Sequence, residues 1–275
     1  MAEVELAMRI RKSGETRLRP ETRLQIATVA GVWILWEALA WSGLFYRDIV
    51  PSSFKVIVAM GRLLATGAFY GHLGTTAYEV LVGFAIGAAA GVLLGILFGA
   101  RPFLGRVMNG YILALAPAPK VIFLPVLMTA FGIGVGSKIA MAALSAFFPT
   151  VLSTAAGMAL INPTLIKVGH SFNATAVQMV TRIYLPALVL PVISGLRLGL
   201  GVAIVGTLIA EIKLSNAGLG FIAIQYYERF RIPEMYAVIV IIFMLAAAAN
   251  WLMTRLSDRL GRHGMPSSAE ISGAA

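Results

Sequence analysis

Six stretches of this 275-residue chain, about 24–45, 77–100, 107–131, 139–159, 186–212 and 236–256, are apolar over the length a helix needs to cross a hydrocarbon layer. No other feature constrains the fold as strongly. Within a bilayer every backbone N–H and C=O must find its partner inside the protein, so such runs become helices packed on one another. The expected class is therefore all-α, a polytopic membrane protein with about six transmembrane helices. Composition agrees: 12% of residues are charged and the mean hydropathy is +0.86, whereas a soluble domain is about one quarter charged. There are no cysteines, which removes disulfides and thiolate chemistry. The first apolar run is of full span length, follows a mixed basic and acidic segment, and has no small-residue cleavage site after it. It reads as an uncleaved span and not as a signal peptide.

Several polar or irregular residues fall inside these runs. Glu37 lies within the first. A carboxylate there avoids lipid, so it either fixes that span against the bundle, or snorkels, or is simply protonated. The second run repeats Gly83, Gly87, Gly91, Gly95 and Gly99, a stripe nearly bare of side chains, the device by which helices approach closely in lipid. The third run contains Pro117, Pro119 and Pro125, which kink a helix, with Lys120 beside them. Irregular backbone at that depth must be covered by protein or line a water-filled cavity. Lys120 is either a pathway residue that attracts an anion or a side chain reaching a carbonyl or carboxylate in the bundle. Glu211 stands near the end of the fifth run. The segment 52–64, opened by Pro51-Ser52-Ser53, reads as an amphipathic interfacial helix.

With six spans both termini share one side. On that side fall about fourteen Lys/Arg: those of the N-terminus, Arg101, Arg106, Lys167, Arg182, Arg197 and the C-terminal cluster. About seven face the other way: Arg47, Lys55, Arg62, Lys138, Lys213, Arg229 and Arg231. The bias predicts cytoplasmic termini. It places in the cytoplasm both the N-terminal segment 1–23 and a tail, 263–275, of small residues expected to be disordered.

The same bias places 160–185 in the cytoplasm. Here polar Lys167, His170, Ser171, Asn173, Thr175, Gln178, Thr181 and Arg182 alternate with apolar Leu165, Ile166, Phe172, Val177, Val180 and Ile183. A solvated linker does not need those apolar residues. The segment reads as a short helical hairpin that docks on something. Its alternative is an interfacial hairpin with no partner. The chain has no G-x-x-x-x-G-K-[ST] phosphate loop, no His pair at metal-ligand spacing and no nucleophile–base pair. It is expected to be non-catalytic, to hold no metal or cofactor, and to draw work from an ion gradient or from another chain.

This stretch resembles the cytoplasmic "EAA" loop of binding-protein-dependent ABC importer permeases. Ser171, Ala174, Leu185, Pro186, Pro191 and the run Gly195-Leu196-Arg197-Leu198-Gly199-Leu200-Gly201 fit that pattern. Lys167 stands where the family has Glu and Asn173 where it has Gly. The first departure reverses a charge; in the second, Asn is the natural substitute for a turn Gly, since it tolerates positive φ. The resemblance covers about residues 30–262. It includes Pro51-Ser52, Ala116-Pro117-Ala118-Pro119-Lys120, Leu124-Pro125, Phe131-Gly132-Ile133-Gly134, Phe147-Phe148-Pro149, and Glu211 with Ala217-Gly218-Leu219-Gly220. These are similar to the nitrate/sulfonate/taurine branch.

The resemblance implies the type I ABC importer permease (MetI-like) fold over 24–262 in the bacterial inner membrane. It implies a coupling loop at 160–185, a second permease copy or a similar chain, cytoplasmic ATPase subunits that hydrolyse ATP, and a periplasmic or lipid-anchored substrate-binding protein. On this basis Phe172 and Val177 are expected as apolar anchors in an ATPase groove, Asn173 as the turn, and Lys167 and Arg182 as rim charges. The implied cargo is a small solute, foremost a nitrate-, sulfonate- or taurine-like anion. No nucleic-acid partner is expected. The rival reading is an ion-coupled secondary transporter, for which Glu37, Glu211 and Glu79 are the available carboxylates. A membrane scaffold without transport is the reading of a different class.

Overall fold

A computed structural model of the chain describes residues 20–44, 49–213 and 215–261. The expected tail 263–275 and all but the end of the basic N-terminal segment lie outside the described residues. Among those described, every regular element is helical: α1 (Pro20–Trp41), α2 (Ser53–Leu64), α3 (Gly67–Ala100), α4 (Pro102–Leu115), a 3₁₀ turn (Lys120–Phe123), α5 (Leu124–Phe131), α6 (Val135–Ala159), α7 (Pro163–Ser171), α8 (Ala176–Met179), a π turn (Val180–Tyr184), α9 (Leu185–Lys213), α10 (Leu219–Glu228) and α11 (Ile232–Gly261). Five helical stretches are long and apolar enough to cross a membrane, and up to six if the bent pair around 116–119 counts as one span.

The boundaries differ from the apolar runs in instructive ways. The second span begins at Gly67 rather than near 77, because residues 67–76, a mix of glycine, aromatic and weakly polar side chains without proline, continue the helix. The expected single span 107–131 is broken: its two limbs, Phe103–Leu115 and Lys120–Phe131, are bent by 94°. Pro117 and Pro119, either side of Ala118, remove two backbone donors at the break. Pro125, at the start of α5, falls where a missing N–H costs nothing. The fifth span does not start at Pro186. The helical run is continuous from Ala176 to Lys213.

Residues up to Val58 and from Ala59 onward form two compact units. In the first, Trp33 Nε1 donates to Ser53 Oγ at 3.0 Å and Trp36 Nε1 to Pro51 O at 3.1 Å. Glu37 accepts from Ser53 N (3.1 Å), Ser53 Oγ (2.9 Å) and Trp41 Nε1 (2.9 Å). The carboxylate thus sits at the start of α2, where backbone amides are free and the helix dipole is positive.

In the second unit α6 lies between α3 and α9, and these three helices share the most extensive packing. Gly83, Gly87, Gly91, Gly95 and Gly99 of α3 all face α6. A Cβ at Gly87 would collide with the Ala143 carbonyl, and one at Gly91 would lie 2.7 Å from Thr150 Cβ. Thr150 and Thr154 turn their hydroxyls back onto the carbonyls of Ala146 and Thr150 at 2.8 and 2.7 Å. Their polar atoms are thereby satisfied within α6, and their methyls meet the bare face of α3. Gly195, Gly199 and Gly206 of α9 admit α6 from the other side in the same way.

Candidate functional site

The segment after α6 folds into a hairpin whose every bend has a local cause. Asn162 caps α7, its Oδ1 accepting from Thr164 N at 2.9 Å, and Pro163 occupies the first turn. The helix ends in a Schellman turn: Ala174 N donates to Gly169 O at 3.0 Å and Asn173 N to His170 O at 2.9 Å. That turn needs a left-handed residue, and Asn173 supplies it at φ 52°. Thr175 then opens α8 with a reciprocal capping box. Its Oγ1 accepts from Gln178 N at 3.3 Å, and Gln178 Oε1 accepts from Thr175 N at 2.8 Å.

The two limbs close on Gly169. A Cβ there would lie 2.6 Å from Ile183 Cδ1 and against Met179 Sδ. Met179, Tyr184 and Leu188 continue into a buried cluster with Ile96, Met158 and Ile161, which fastens the hairpin to the ends of α3 and α6. Pro186 lacks an N–H and would crowd the carbonyl four residues back. The chain answers with a π turn over Val180–Tyr184, in which Leu185 N reaches Val180 O. The helix therefore continues through Leu185 and Pro186 without a break.

At the apex Phe172 is 82% exposed and Val177 70% exposed. Lys167, Ser171, Asn173, Arg182, Leu185 and Pro186 are also exposed, and Ala174 is half-buried beneath the turn. Ser171 Oγ donates to Lys167 O at 3.0 Å.

Each of the three polar residues expected inside the membrane has its own local partners. Glu37 serves α2, as described above. Lys120 donates to Ala116 O at 2.7 Å and lies 5.3 Å from the centre of the Phe148 ring. Its ammonium satisfies a carbonyl freed where the helix breaks. Glu211 is fully buried. It accepts from Thr76 Oγ1 at 2.6 Å and Gly220 N at 2.7 Å, while Thr76 Oγ1 accepts from Leu219 N at 2.8 Å and His72 Nδ1 from Gly218 N at 3.2 Å. Gly218, at φ 109°, wraps so closely that a Cβ would strike the Glu211 carboxyl. This cluster ties the 218–220 turn to α3 and α9.

The sequence reading misplaced one member of that region, Lys138, and named another, Glu79, only as a carboxylate available to the rival transporter. Lys138 is not an outer-loop charge. It is 3% exposed, and its Nζ donates to Ile133 O and Gly134 O at 2.9 and 3.0 Å. The left-handed Gly132, at φ 79°, turns those carbonyls toward it. Glu79 is fully buried in the neighbourhood of Glu211 and Lys138. The signal was available: His72, Thr76 and Glu79 fall at spacings of four and three, on one face of α3. At the same end of the bundle, Glu234 accepts from Arg231 Nη2 at 2.6 Å and holds that guanidinium above its ordinary range.

Among the described residues no group of three or more His, Asp or Glu is placed to hold a metal ion. Helices long and apolar enough to span a membrane, packed on a glycine-mediated core with a hairpin at one end, define a polytopic helical membrane protein. Residues 87–262 match the family described as binding-protein-dependent transport system inner membrane component, and the chain belongs to that family. It is 25% identical over 226 residues to the putative aliphatic sulfonates transport permease protein SsuC of Bacillus subtilis, with 82% of each chain covered. To the taurine transport system permease protein TauC of Escherichia coli it is 25% identical over 248 residues, covering 88% of this chain and 90% of that one. To the formylaminopyrimidine transport permease protein ThiX of Halalkalibacterium halodurans it is 26% identical over 227 residues, covering 82% and 90%. Among solved structures it is similar to the inward-facing MetNI methionine ABC transporter, with TM-score 0.58 and 23% identity over 75% of this chain and 98% of that one. That likeness is one of fold: the type I importer permease architecture.

Proposed function

We propose that the chain forms the translocation pathway of an ATP-driven importer, and that hairpin 160–185 is where a separate cytoplasmic ATPase takes hold. The observation that carries this reading is the exposed apolar pair Phe172 and Val177 at the apex of a hairpin whose turn is held by the Asn173 N–His170 O and Ala174 N–Gly169 O hydrogen bonds. A rigid turn presenting a phenylalanine to water is suited to insertion into an apolar groove. Lys167 and Arg182, exposed on the two limbs, then set the charge of the rim. The basic bias supports a cytoplasmic hairpin and cytoplasmic termini, and the family is consistent with a bacterial inner membrane.

The working unit on this reading is two permease chains, two ATPase subunits and an external binding protein that delivers the cargo. The permease itself is non-catalytic. ATP binding draws the ATPases together, the docked hairpins follow, and the bundle shifts between inward- and outward-open states by the difference in contact energy. The names of the sulfonate and taurine relatives support a small sulfonate-type anion as cargo.

Phe172→Asp tests the docking. Losing a buried phenylalanine contributes about 2–3 kcal/mol, on the order of a hundredfold in ATPase affinity. Copurification of the ATPase and ATP-dependent uptake should both be lost. Intact association and uptake in that variant would refute the coupling role.

A further inference from the structure

A cleft of about 680 Å³ opens between the end of α3, α4 and the second half of α6. Its walls are apolar, with Phe98, Leu113, Val151, Leu152 and Ala156 prominent, and two polar side chains enter it, Arg106 and Asn109 of α4. Both are exposed, and neither has a hydrogen bond or ion pair to a described residue. Beside them the first turn of α4 has no side-chain cap, so its amides and positive dipole end are open to an anion. Arg106 and Leu113 are roughly 10 Å apart along α4, so the apolar trough runs from the cationic rim toward the membrane interior. The cleft lies at the hairpin end of the helices, since α6 finishes at Ala159 just before Asn162 opens α7.

An unpaired guanidinium, an uncapped helix start and an apolar trough together complement one kind of ligand, an anionic headgroup carrying an acyl chain. We propose that this cleft binds an anionic phospholipid of the cytoplasmic leaflet. Its phosphate lies against Arg106, Asn109 and the start of α4, and one acyl chain lies along Leu113, Val151 and Leu152. Basic pockets between spanning helices on the cytoplasmic side are suited to such headgroups. An anionic headgroup neutralises Arg106. The proposal rests on the cytoplasmic placement of the hairpin given above.

The test uses the purified full-length permease in micelles, titrated with phosphatidylglycerol or phosphatidylcholine, with bound lipid counted by native mass spectrometry. Phosphatidylglycerol should bind more tightly. Arg106→Gln should weaken it about fivefold, the contribution of one basic residue at an anionic surface, and Arg106→Lys should retain it. Ala156→Trp, which fills the trough from an exposed position without touching a charge, should also lose it. Equal binding of the two lipids, or a phosphatidylglycerol preference that survives Arg106→Gln, overturns the proposal. So does a change of oligomeric state in Arg106→Gln with lipid preference unmoved, which would place a second copy in the cleft. ATPase copurification measured on the same preparations separates this outcome from failure of the coupling reading.

Discussion

Replacing Gly91 by alanine tests how closely α3 sits on α6. The new Cβ would lie 2.7 Å from Thr150 Cβ and 3.0 Å from Phe147 O, where ordinary contact begins at 3.4 Å. Thr150 cannot swing aside cheaply, because its hydroxyl is bonded to Ala146 O at 2.8 Å. The helices must therefore part by several tenths of an ångström, an overpacking cost of about 1–3 kcal/mol. Against this stands a gain of up to about 1 kcal/mol from replacing glycine inside a helix. Gly110→Ala isolates that gain, since a Cβ at Gly110 meets nothing within 4 Å. The difference between the two variants is then the clash alone. Equilibrium unfolding in mixed micelles, followed by tryptophan fluorescence, should find Gly91→Ala less stable than Gly110→Ala by about 1–3 kcal/mol. Two variants equal within about 0.5 kcal/mol, the usual span for a surface substitution, would mean that α3 and α6 are not in this register.

Asn173 sits at φ 52°, so Asn173→Gly should keep the hairpin and Asn173→Val should lose about 1–2 kcal/mol of its stability. Hydrogen exchange of the 163–184 amides reads this, and equal protection in the two variants would remove the left-handed turn from the account. Glu211→Ala leaves the Thr76 hydroxyl and the Gly220 N–H buried without acceptors, at about 1–3 kcal/mol each. The same unfolding assay should show that loss, and wild-type stability would mean that the carboxylate holds neither donor.

The spans were legible because lipid makes hydropathy decisive: no apolar run of that length has an alternative to helix. The packing face of α3 was legible too, since a glycine every fourth residue is nearly a straight line on a helix. What hydropathy could not give was the shape of the third span. Pro117 and Pro119 announce a kink, but its 94° depends on what covers the freed carbonyls, and one of those is Lys120's partner by tertiary context. Lys138 was misplaced for a related reason. A lysine beside a glycine-rich turn reads as a loop charge until Gly132 is known to turn two carbonyls toward it. Pro186 misled in the opposite direction, because a π turn absorbs a proline that propensity treats as a stop. In the hairpin, Thr175 and Gln178 spell a capping box in the sequence itself, whereas the closeness of the limbs at Gly169 depends on Met179 and Ile183 arriving from the other side.

The π turn ahead of Pro186 also has a mechanical consequence. Because it joins α8 to α9 without a break, the second limb of the hairpin and the fifth span form one rod of 38 residues, Ala176–Lys213, about 57 Å long at 1.5 Å per residue. A tilt of about 5° at the hairpin end displaces the far end by about 5 Å over that length. The far end carries Glu211, which grips the 218–220 turn. On the proposed docking, a displacement of Val177, the anchor that stands on this helix, is carried along one continuous run to the Glu211 cluster.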